Sequence, residues 1–329
     1  MGDTLISRNL VPIIDMVGIG IKETAFKDLG QQLYKALTET GIALLINHGI
    51  PLEKIETSWN YFDEFLNLPS DVKNKYARSK IAEDDNHGYV SPGMERFDGK
   101  TPELRHAYNI CQEHKDIMPK EVPGFAENIS QLRQDFKCLA SFILQSLAIA
   151  VGMPQNFFLD NHKHMLSNNG HNLTTLRMLY YPPVTGNNKD FGSGHIVRCG
   201  AHCDYDTFTL LAQDSEGGLE VKLVGSDKWE RVGHLQGAIA INCGETLSAW
   251  TQRRFYALPH RVIVPEDEDL RASGRHSLAF FLHPDNDTKI SPRDLVTQDN
   301  IDHNATDERI YTAFEIAMNL ARGTYRESY

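Results

Sequence analysis

A histidine and an aspartate separated by one residue are the first side chains in this sequence that could do chemistry together. His202 and Asp204 enclose Cys203 and lie just before an apolar run that is typical of a strand. Because residues i and i+2 of a strand point to the same face, the imidazole and the carboxylate would project together. A later histidine, His260, lies in a second strand-like context. Two imidazoles and one carboxylate leave open positions on a bound Fe(II), so these three residues are the candidate metal ligands.

The His-x-Asp pattern is short, so its surroundings must separate a site from coincidence. The same pattern occurs at residues 114–116 and 283–285. The first of these repeats lies in a polar run, and the second continues as a Pro-Asp-Asn segment that is typical of a turn. Two other histidines, His162 and His164, are expected at the surface rather than in a second metal site.

An arginine and a serine form a second candidate constellation further along the chain. Arg275 and Ser277 are also an i, i+2 pair, so a guanidinium and a hydroxyl would lie at the same depth and could clamp a carboxylate. Arg271 and Ser273 form a competing pair. The sequence favours Arg275 because the apolar run 278–282 follows it directly, whereas a glycine follows Ser273.

The elements that must position these residues follow from hydrophobic periodicity. The spacing predicts helices over residues 24–40, 51–66, 131–151 and 307–322, a strand over 42–46 and a loop over 79–99. After residue 172, short apolar runs alternate with turn signals, which is typical of a sandwich or barrel. These runs are residues 207–212, 219–224, 238–242, 262–264 and 278–282. We therefore expect one domain over 1–329, with a mainly helical region 1–171, a β core 172–290 and a helical extension 291–329.

Composition excludes several classes of protein. The 329 residues carry 33 basic and 44 acidic side chains, a net charge of −11, which argues against nucleic acid as a partner. No apolar run of about 18 residues is present, so no membrane span is expected. Five widely spaced cysteines favour reduced thiols and a cytoplasmic location over a disulfide scaffold. A small-molecule substrate is the expected partner, and a monomer is favoured while the oligomeric state stays open.

Seven short segments occur in the order of a known family. They are residues 11–15, 40–50, 179–183, 200–204, 217–221, 242–245 and 259–262. Over nearly its whole length the chain resembles the 2-oxoglutarate- and Fe(II)-dependent dioxygenases of the isopenicillin N synthase-like family. The resemblance implies a mainly β fold with flanking helices, built on a double-stranded β-helix, or jelly roll.

The resemblance also implies roles for individual residues. His202, Asp204 and His260 would hold Fe(II). Arg275 and Ser277 would hold the distal carboxylate of 2-oxoglutarate. Tyr181 would lie near the other end of this cosubstrate. Phe281 shares strand parity with Arg275, and its family position implies a place in the substrate pocket beside the iron, with plain core packing as the alternative.

The implied activity is the oxidation of a small organic molecule by O2, such as hydroxylation or desaturation, with release of succinate and CO2. Two alternatives stay open: an oxidase that needs no 2-oxoglutarate, like isopenicillin N synthase, and an inactive binding protein with the same fold. The chain departs from the family pattern where Leu179 replaces a frequent asparagine. A second departure is the acidic stretch 266–269, which looks like an insertion between His260 and Arg275.

Overall fold

The computed structural model describes nine segments of the chain, and the elements below lie within them. The segments are residues 10–18, 24–78, 86–96, 103–111, 118–167, 170–184, 197–264, 272–291 and 310–324. The helices are α1 (Ala25–Glu39), α2 (Leu52–Leu66), α3 (Ser70–Lys73), α4 (Phe125–Ala150), α5 (Phe157–Asp160), α6 (Glu245–Trp250) and α7 (Ala313–Thr324). Three features of the sequence lie outside the described residues: Arg271 of the competing clamp, the acidic stretch 266–269 and the His-x-Asp repeat at 114–116.

Fourteen strands form the β structure of these segments. The first seven are β1 (Ile13–Asp15), β2 (Ile42–Ile46), β3 (Gly88–Val90), β4 (His106–Ile110), β5 (Thr175–Tyr181), β6 (Val197–His202) and β7 (Phe208–Gln213). The others are β8 (Leu219–Val221), β9 (Glu230–Arg231), β10 (Ile239–Cys243), β11 (His260–Ile263), β12 (Arg275–Leu282), β13 (Lys289–Ile290) and β14 (Tyr311–Thr312).

Two sheets build the core of the fold. The larger sheet has the strand order β1-β2-β10-β7-β12-β5-β4-β3, and the smaller has the order β6-β11-β8-β9. A short third sheet pairs β13 with β14. One apolar cluster joins Leu179 and Ala279 of the larger sheet to Val221 and Val262 of the smaller, so the two sheets face each other. The expected mainly β fold with flanking helices is confirmed.

Strand alternation divides the larger sheet into an inner and an outer face. On β12, the even positions Leu278 and Phe280 pack in a cluster with Phe136 of α4, whose ring stacks on that of Phe280 at 5.5 Å. The odd positions of the same strand therefore face the smaller sheet. Arg275 and Ser277 are odd positions, so the helices buttress the outer face while the inner face presents polar side chains.

Helices α1 and α4 pack closely on that outer side. The apolar stripe of α1 is buried as the periodicity predicts, with Leu29, Leu33 and Leu37 all in the core. A Cβ added to Gly30 would lie 2.3 Å from the backbone oxygen of Ser146 in α4. Only glycine permits this approach of the two helix backbones.

Several predicted boundaries differ from the structure. The predicted loop 79–99 contains strand β3, which pairs with β4, so that part of the prediction is wrong. Helix α4 begins at Phe125 rather than at 131, and α7 begins at Ala313 rather than at 307. Four strands of the region predicted as mainly helical, β1 to β4, extend both edges of the larger sheet. Of these, β2 is the predicted strand 42–46, whereas β1, β3 and β4, with three to five residues each, are too short for periodicity to reveal them.

The described segments include no helix with the length and apolar character that a bilayer crossing requires. The long helix α4 is continuous, but it carries polar and charged residues along one side.

Candidate metal centre and cosubstrate site

Strand pairing brings the three predicted metal ligands together. His202 ends β6, His260 begins β11, and the two residues are direct partners in the ladder between these strands. Asp204 lies in the loop that follows β6. Its Oδ1 atom lies 3.6 Å from Nε2 of His202 and 3.6 Å from Nε2 of His260. One donor atom from each residue lies within 4.8 Å of the others, so the group could hold a metal ion.

Backbone carbonyls orient both imidazoles. Nδ1 of His202 lies 2.8 Å from the oxygen of Gly200, and Nδ1 of His260 lies 3.0 Å from the oxygen of Leu258. Because a carbonyl oxygen can only accept, each Nδ1 carries the proton and donates it. Each Nε2 is then left as the lone-pair donor that a metal requires.

The carboxylate of Asp204 is oriented in a similar way. Its Oδ2 accepts hydrogen bonds from Oγ1 of Thr209 at 2.6 Å and from Nδ2 of Asn242 at 2.9 Å. These bonds leave Oδ1 for the position between the two imidazoles. Neither partner was predicted from the sequence, because both lie on other strands, β7 and β10, whose register a local pattern does not reveal.

The protonation states of the three groups suit a divalent metal. Burial lowers the pKa of both His202 and His260, which keeps the imidazoles neutral. Burial acts to raise the pKa of Asp204, but the two imidazoles and the hydrogen bonds from its neighbours outweigh it and lower the pKa. Two neutral nitrogens and one anionic oxygen are the donor set of non-haem Fe(II) sites, so these residues fit that ion.

The predicted carboxylate clamp lies on the inner face of β12. Arg275 and Ser277 are each 1% exposed. Nη2 of Arg275 donates to Oε1 of Gln213 at 3.0 Å, and Nη1 donates to Oγ of Ser277 at 3.4 Å. Among the described residues, the Nε atom of Arg275 finds no hydrogen-bond acceptor and the guanidinium forms no ion pair. Neutral groups therefore hold a buried cation, and this arrangement fits an incoming carboxylate.

Tyr181 lies beside the clamp rather than away from it. It is the direct strand partner of Arg275, and the Cζ atom of Arg275 lies 5.0 Å from the centre of the tyrosine ring. Strand register places Tyr181 beside Arg275, and the expectation that it lies near the other end of the cosubstrate stays a prediction. Leu179, at the position of the frequent asparagine, is buried opposite Ser277 and adds only apolar surface.

Phe281 lies on the same inner face, closer to the metal ligands. Its strand partners are Thr209 on β7 and Thr175 on β5. Thr209 is the residue that donates to Asp204, so only one side chain separates Phe281 from a candidate ligand in the sheet. The ring is half-buried and packs against the apolar cluster between the sheets.

Of the competing pair Arg271 and Ser273, only Ser273 lies within the described residues. The backbone oxygen of Ser273 accepts a hydrogen bond from Nη2 of Arg198 at 3.1 Å. Ser273 precedes β12, whereas Arg275 is its first residue, which agrees with the sequence argument that a strand fixes the depth of Arg275.

A buried cluster of charged side chains near His202 was not predicted from the sequence. Nη2 of Arg105 lies 3.0 Å from Glu95 and 2.8 Å from Glu103, and Nη2 of Arg177 lies 2.5 Å from Glu95. The cluster reaches the metal site through Glu103, which accepts from the backbone nitrogen of Gly200 at 3.2 Å. Strand parity could have indicated this cluster, because Arg177 and Tyr181 are four residues apart on β5 and therefore share a face of the strand.

The remaining histidines differ from one another in their surroundings. His162 is fully buried, with Nε2 2.8 Å from Oγ1 of Thr207, so the expectation of a surface position is wrong. Its burial lowers its pKa to about 4. His164 is half-exposed, as expected, and lies 3.0 Å from Asp285. In the described part of the chain, the group of His202, Asp204 and His260 is the one that brings three such donors together.

Comparisons with known proteins agree with this geometry. A model of the 2OG-Fe(II) oxygenase superfamily matches residues 173–284, and a model of the non-haem dioxygenase in morphine synthesis N-terminal region matches residues 11–131. The 2-oxoglutarate-dependent dioxygenase ecdK of Aspergillus rugulosus is 30% identical over 295 residues, which cover 81% of this chain and 85% of the relative. The 2-oxoglutarate-dependent dioxygenase frbA of a Dothideomycetidae species is 27% identical over 327 residues, covering 90% of this chain and 91% of the relative.

A solved structure extends the agreement to the fold. The crystal structure of a full-length Neurospora crassa protein in complex with alpha-KG and thymine superposes with a TM-score of 0.81. Its sequence is 22% identical, and the alignment covers 98% of this chain and 99% of the other. The likeness shows the jelly-roll fold over almost the entire chain. Together with the relative at 30% identity, these matches establish that the chain belongs to the 2-oxoglutarate-dependent dioxygenases, enzymes that use Fe(II), 2-oxoglutarate and O2 to oxidise small molecules.

Proposed function

We propose that His202, Asp204 and His260 hold the Fe(II) at which a small organic molecule is oxidised, with release of succinate and CO2. The observation that carries this assignment is the convergence of one donor atom from each of these three side chains. Nε2 of each histidine and Oδ1 of the aspartate converge within 4.8 Å. When bound, Fe(II) supplies the activation of O2, and the protein supplies position, charge and exclusion of water.

The second element of the proposal concerns the cosubstrate. Arg275 and Ser277 bind the distal carboxylate of 2-oxoglutarate, and the ring of Tyr181 packs against the guanidinium of Arg275. The orphaned Nε of Arg275 supports this role, since a buried donor without an acceptor is costly until a ligand supplies one. The apolar residues between the sheets exclude water from the reacting centre.

The substrate pocket is the third element of the proposal. Phe281 forms an apolar wall of this pocket beside the metal ligands. The buried cluster of Arg105, Arg177, Glu95 and Glu103 forms a polar wall on the side of His202. Arg78 also lies 3.7 Å from Glu95, so three guanidiniums meet two carboxylates there and the pocket is suited to a molecule with polar groups.

We also propose that the whole chain acts as one domain, in which residues 1–171 and the extension 291–329 brace the β core 172–290. The acidic net charge and the five free cysteines support a cytoplasmic monomer without nucleic-acid or membrane partners.

The experiment is an assay of 2-oxoglutarate consumption, which can be run before the substrate is identified. The protein with Fe(II), ascorbate, O2 and 2-oxoglutarate is expected to form succinate and CO2 slowly, and faster when a substrate from a metabolite panel is added. Asp204→Ala should abolish both rates, and the exposed-site variant Asp227→Ala should keep them. O2 consumption without succinate would assign the chain to the oxidases that need no 2-oxoglutarate, and absence of metal-dependent turnover with any compound would point to a binding protein.

A further inference from the structure

A second arginine lies buried at the same end of the fold as the proposed clamp. Arg198 is on β6, four residues before His202, and is 1% exposed. Its Nη2 donates to the backbone oxygen of Ser273 at 3.1 Å. Ser273 lies two residues before Arg275, so this hydrogen bond connects the smaller sheet to the start of the strand that carries the clamp.

Most of the hydrogen-bonding capacity of Arg198 is unused by the described residues. Its Nε and Nη1 atoms are buried and find no acceptor among them, and Nε of Arg275 is in the same condition. Neither guanidinium forms an ion pair with any described carboxylate. A buried cation without an anion is strongly unfavourable, and a structural arginine is normally satisfied by carbonyl or carboxylate oxygens.

The electrostatic surroundings place the two arginines in one environment. Burial and the repulsion from Arg275 lower the pKa of Arg198, whereas Tyr181 and the carboxylates of Asp214 and Glu216 act in the opposite direction. Tyr181 also packs its ring on the guanidinium of Arg275. Two like charges therefore meet around one tyrosine in a buried region of the protein, and an anion between them would relieve the repulsion.

We propose that Arg198 is a second arginine for the distal carboxylate of 2-oxoglutarate, acting together with Arg275. This inference rests on the proposed function of Arg275 and Ser277. A carboxylate offers two oxygens with about four acceptor positions, which one guanidinium and one hydroxyl do not exhaust. Nε and Nη1 of Arg198 donate to the positions that remain, so the site selects a 2-oxo acid that carries a second carboxylate.

The test is the affinity of the anaerobic Fe(II) protein for two 2-oxo acids, read from the visible absorption that forms when the acid chelates the iron. 2-Oxoglutarate carries the distal carboxylate. 2-Oxovalerate has the same five-carbon chain with a methyl group in place of that carboxylate. Arg198→Gln is expected to weaken 2-oxoglutarate binding by about tenfold to a hundredfold, because hydrogen bonds to charged groups contribute about 1.5–3 kcal/mol. Its affinity for 2-oxovalerate should stay within about twofold of the original, as should both affinities of the exposed-site control Arg253→Gln.

The outcomes distinguish the role of Arg198 from the proposed clamp. Selective loss in Arg275→Gln but not in Arg198→Gln would overturn the role of Arg198 and leave the clamp intact. Absence of selective loss in both variants, or of 2-oxoglutarate binding to the unmodified protein, would overturn the clamp as well. Equal weakening of both acids by Arg198→Gln would overturn the second-arginine role and assign Arg198 to support of Ser273 alone.

A crystal structure of the unmodified protein with Mn(II) and 2-oxoglutarate decides the matter if the variants do not fold. Nε or Nη1 of Arg198 is expected within hydrogen-bonding distance of the distal carboxylate. A separation of more than about 4 Å from both carboxylate oxygens would overturn the inference.

Discussion

The geometry of the candidate metal centre depends on which atoms of its ligands are already occupied. The Nδ1–H groups of His202 and His260 donate hydrogen bonds to backbone oxygens. Thr209 and Asn242 donate hydrogen bonds to Oδ2 of Asp204. The three remaining donor atoms point to one place without competition from these partners. Partners of this kind usually change metal affinity by about tenfold to a hundredfold when they are removed.

Thr209→Val tests this orientation of Asp204. Valine keeps the shape of threonine but removes the hydroxyl that donates to Oδ2 of the carboxylate at 2.6 Å. We expect Mn(II) affinity to fall by about tenfold to a hundredfold, measured by titration followed by electron paramagnetic resonance. The control is Thr251→Val, which removes a buried hydroxyl bonded to the backbone of Leu247. Equal Mn(II) affinity of the Thr209 variant and the original protein would show that the hydrogen bond does not orient the ligand.

At this scale the sequence predicts the ligands but not their supports. His202 and Asp204 are two residues apart, a spacing that suggests a shared strand face, although Asp204 lies in the loop after β6 and not on the strand. The partners Asn242 and Gln213, and the second arginine Arg198, come from other strands. Their position relative to the site depends on the register between strands. A shift of one residue in that register would turn their side chains to the other face of the sheet.

Strand β12 connects the clamp to the helical layer. While Arg275 and Ser277 face inwards, His276 faces outwards, as strand alternation predicts. Nε2 of His276 lies 2.8 Å from Oδ1 of Asp63 on α2, and its backbone nitrogen donates to Asp214. Its ring packs against Tyr180, with centres 4.7 Å apart. This histidine therefore joins helix α2 to the outer side of the clamp strand.

The ionisation of His276 should make stability depend on pH. Burial acts to lower the pKa of His276, but the hydrogen bonds to Asp214 and Asp63 outweigh it and raise the pKa from 6.5 to about 9. Because the folded-state pKa lies above the unfolded-state value, this stabilisation is complete below about pH 6.5 and is lost as the pH rises through about 9.

His276→Gln should therefore cost roughly 1–3 kcal/mol of unfolding free energy at about pH 6 and little at about pH 10. Urea unfolding of both proteins across this range measures the difference. A cost that is the same at both pH values would show that the imidazolium contributes packing rather than charge.

The contact between α1 and α4 gives a prediction about packing. Alanine at position 30 would gain about 0.5–1 kcal/mol from helix propensity. Its Cβ would, however, lie 2.3 Å from the backbone oxygen of Ser146, which has no side-chain rotation to relieve the clash. We expect Gly30→Ala to lower the unfolding free energy by about 1–3 kcal/mol in urea titrations, because overpacking outweighs propensity. The exposed neighbour Gln31→Ala is the control, and stabilisation by Gly30→Ala would contradict the close approach.

Element boundaries could be predicted where apolar periodicity defines them. The predicted strand 42–46 coincides with β2, and the buried stripe of α1 follows the predicted positions. Strand β12 begins three residues before the predicted run 278–282, since Arg275, His276 and Ser277 are polar yet belong to the ladder. Hydrophobicity alone misses these three residues because they are polar, and two of them, Arg275 and Ser277, form the proposed clamp.

In the described part of the molecule, two facing sheets form the core and helices α1 and α4 pack on the outer side of the larger sheet. Strands β6 and β11 of the smaller sheet carry the two histidines, and β5, β7 and β12 of the larger sheet carry the clamp and its partners. The site therefore exists only when both sheets are formed and face each other. The sequence predicted a β core with packed helices, but short strands from the first half of the chain join the same sheet through pairings that are distant in sequence.

Ligand binding should accordingly stabilise the entire fold. A metal that binds only the native state adds about 2.7 kcal/mol at a free concentration about one hundred times its dissociation constant. We expect Mn(II) to raise the thermal unfolding midpoint by several degrees, and 2-oxoglutarate to raise it further only when Mn(II) is present. In Asp204→Ala both increases should vanish, and an increase as large as in the original protein would place the metal elsewhere.

Anomalous diffraction at the iron absorption edge, from crystals loaded anaerobically with Fe(II), tests the assignment of the metal centre most directly. One strong peak is expected at about 2 Å from Nε2 of His202, Oδ1 of Asp204 and Nε2 of His260. A crystal that binds iron with its peak at any other group of side chains, or one with no peak at saturating Fe(II), would contradict the assignment.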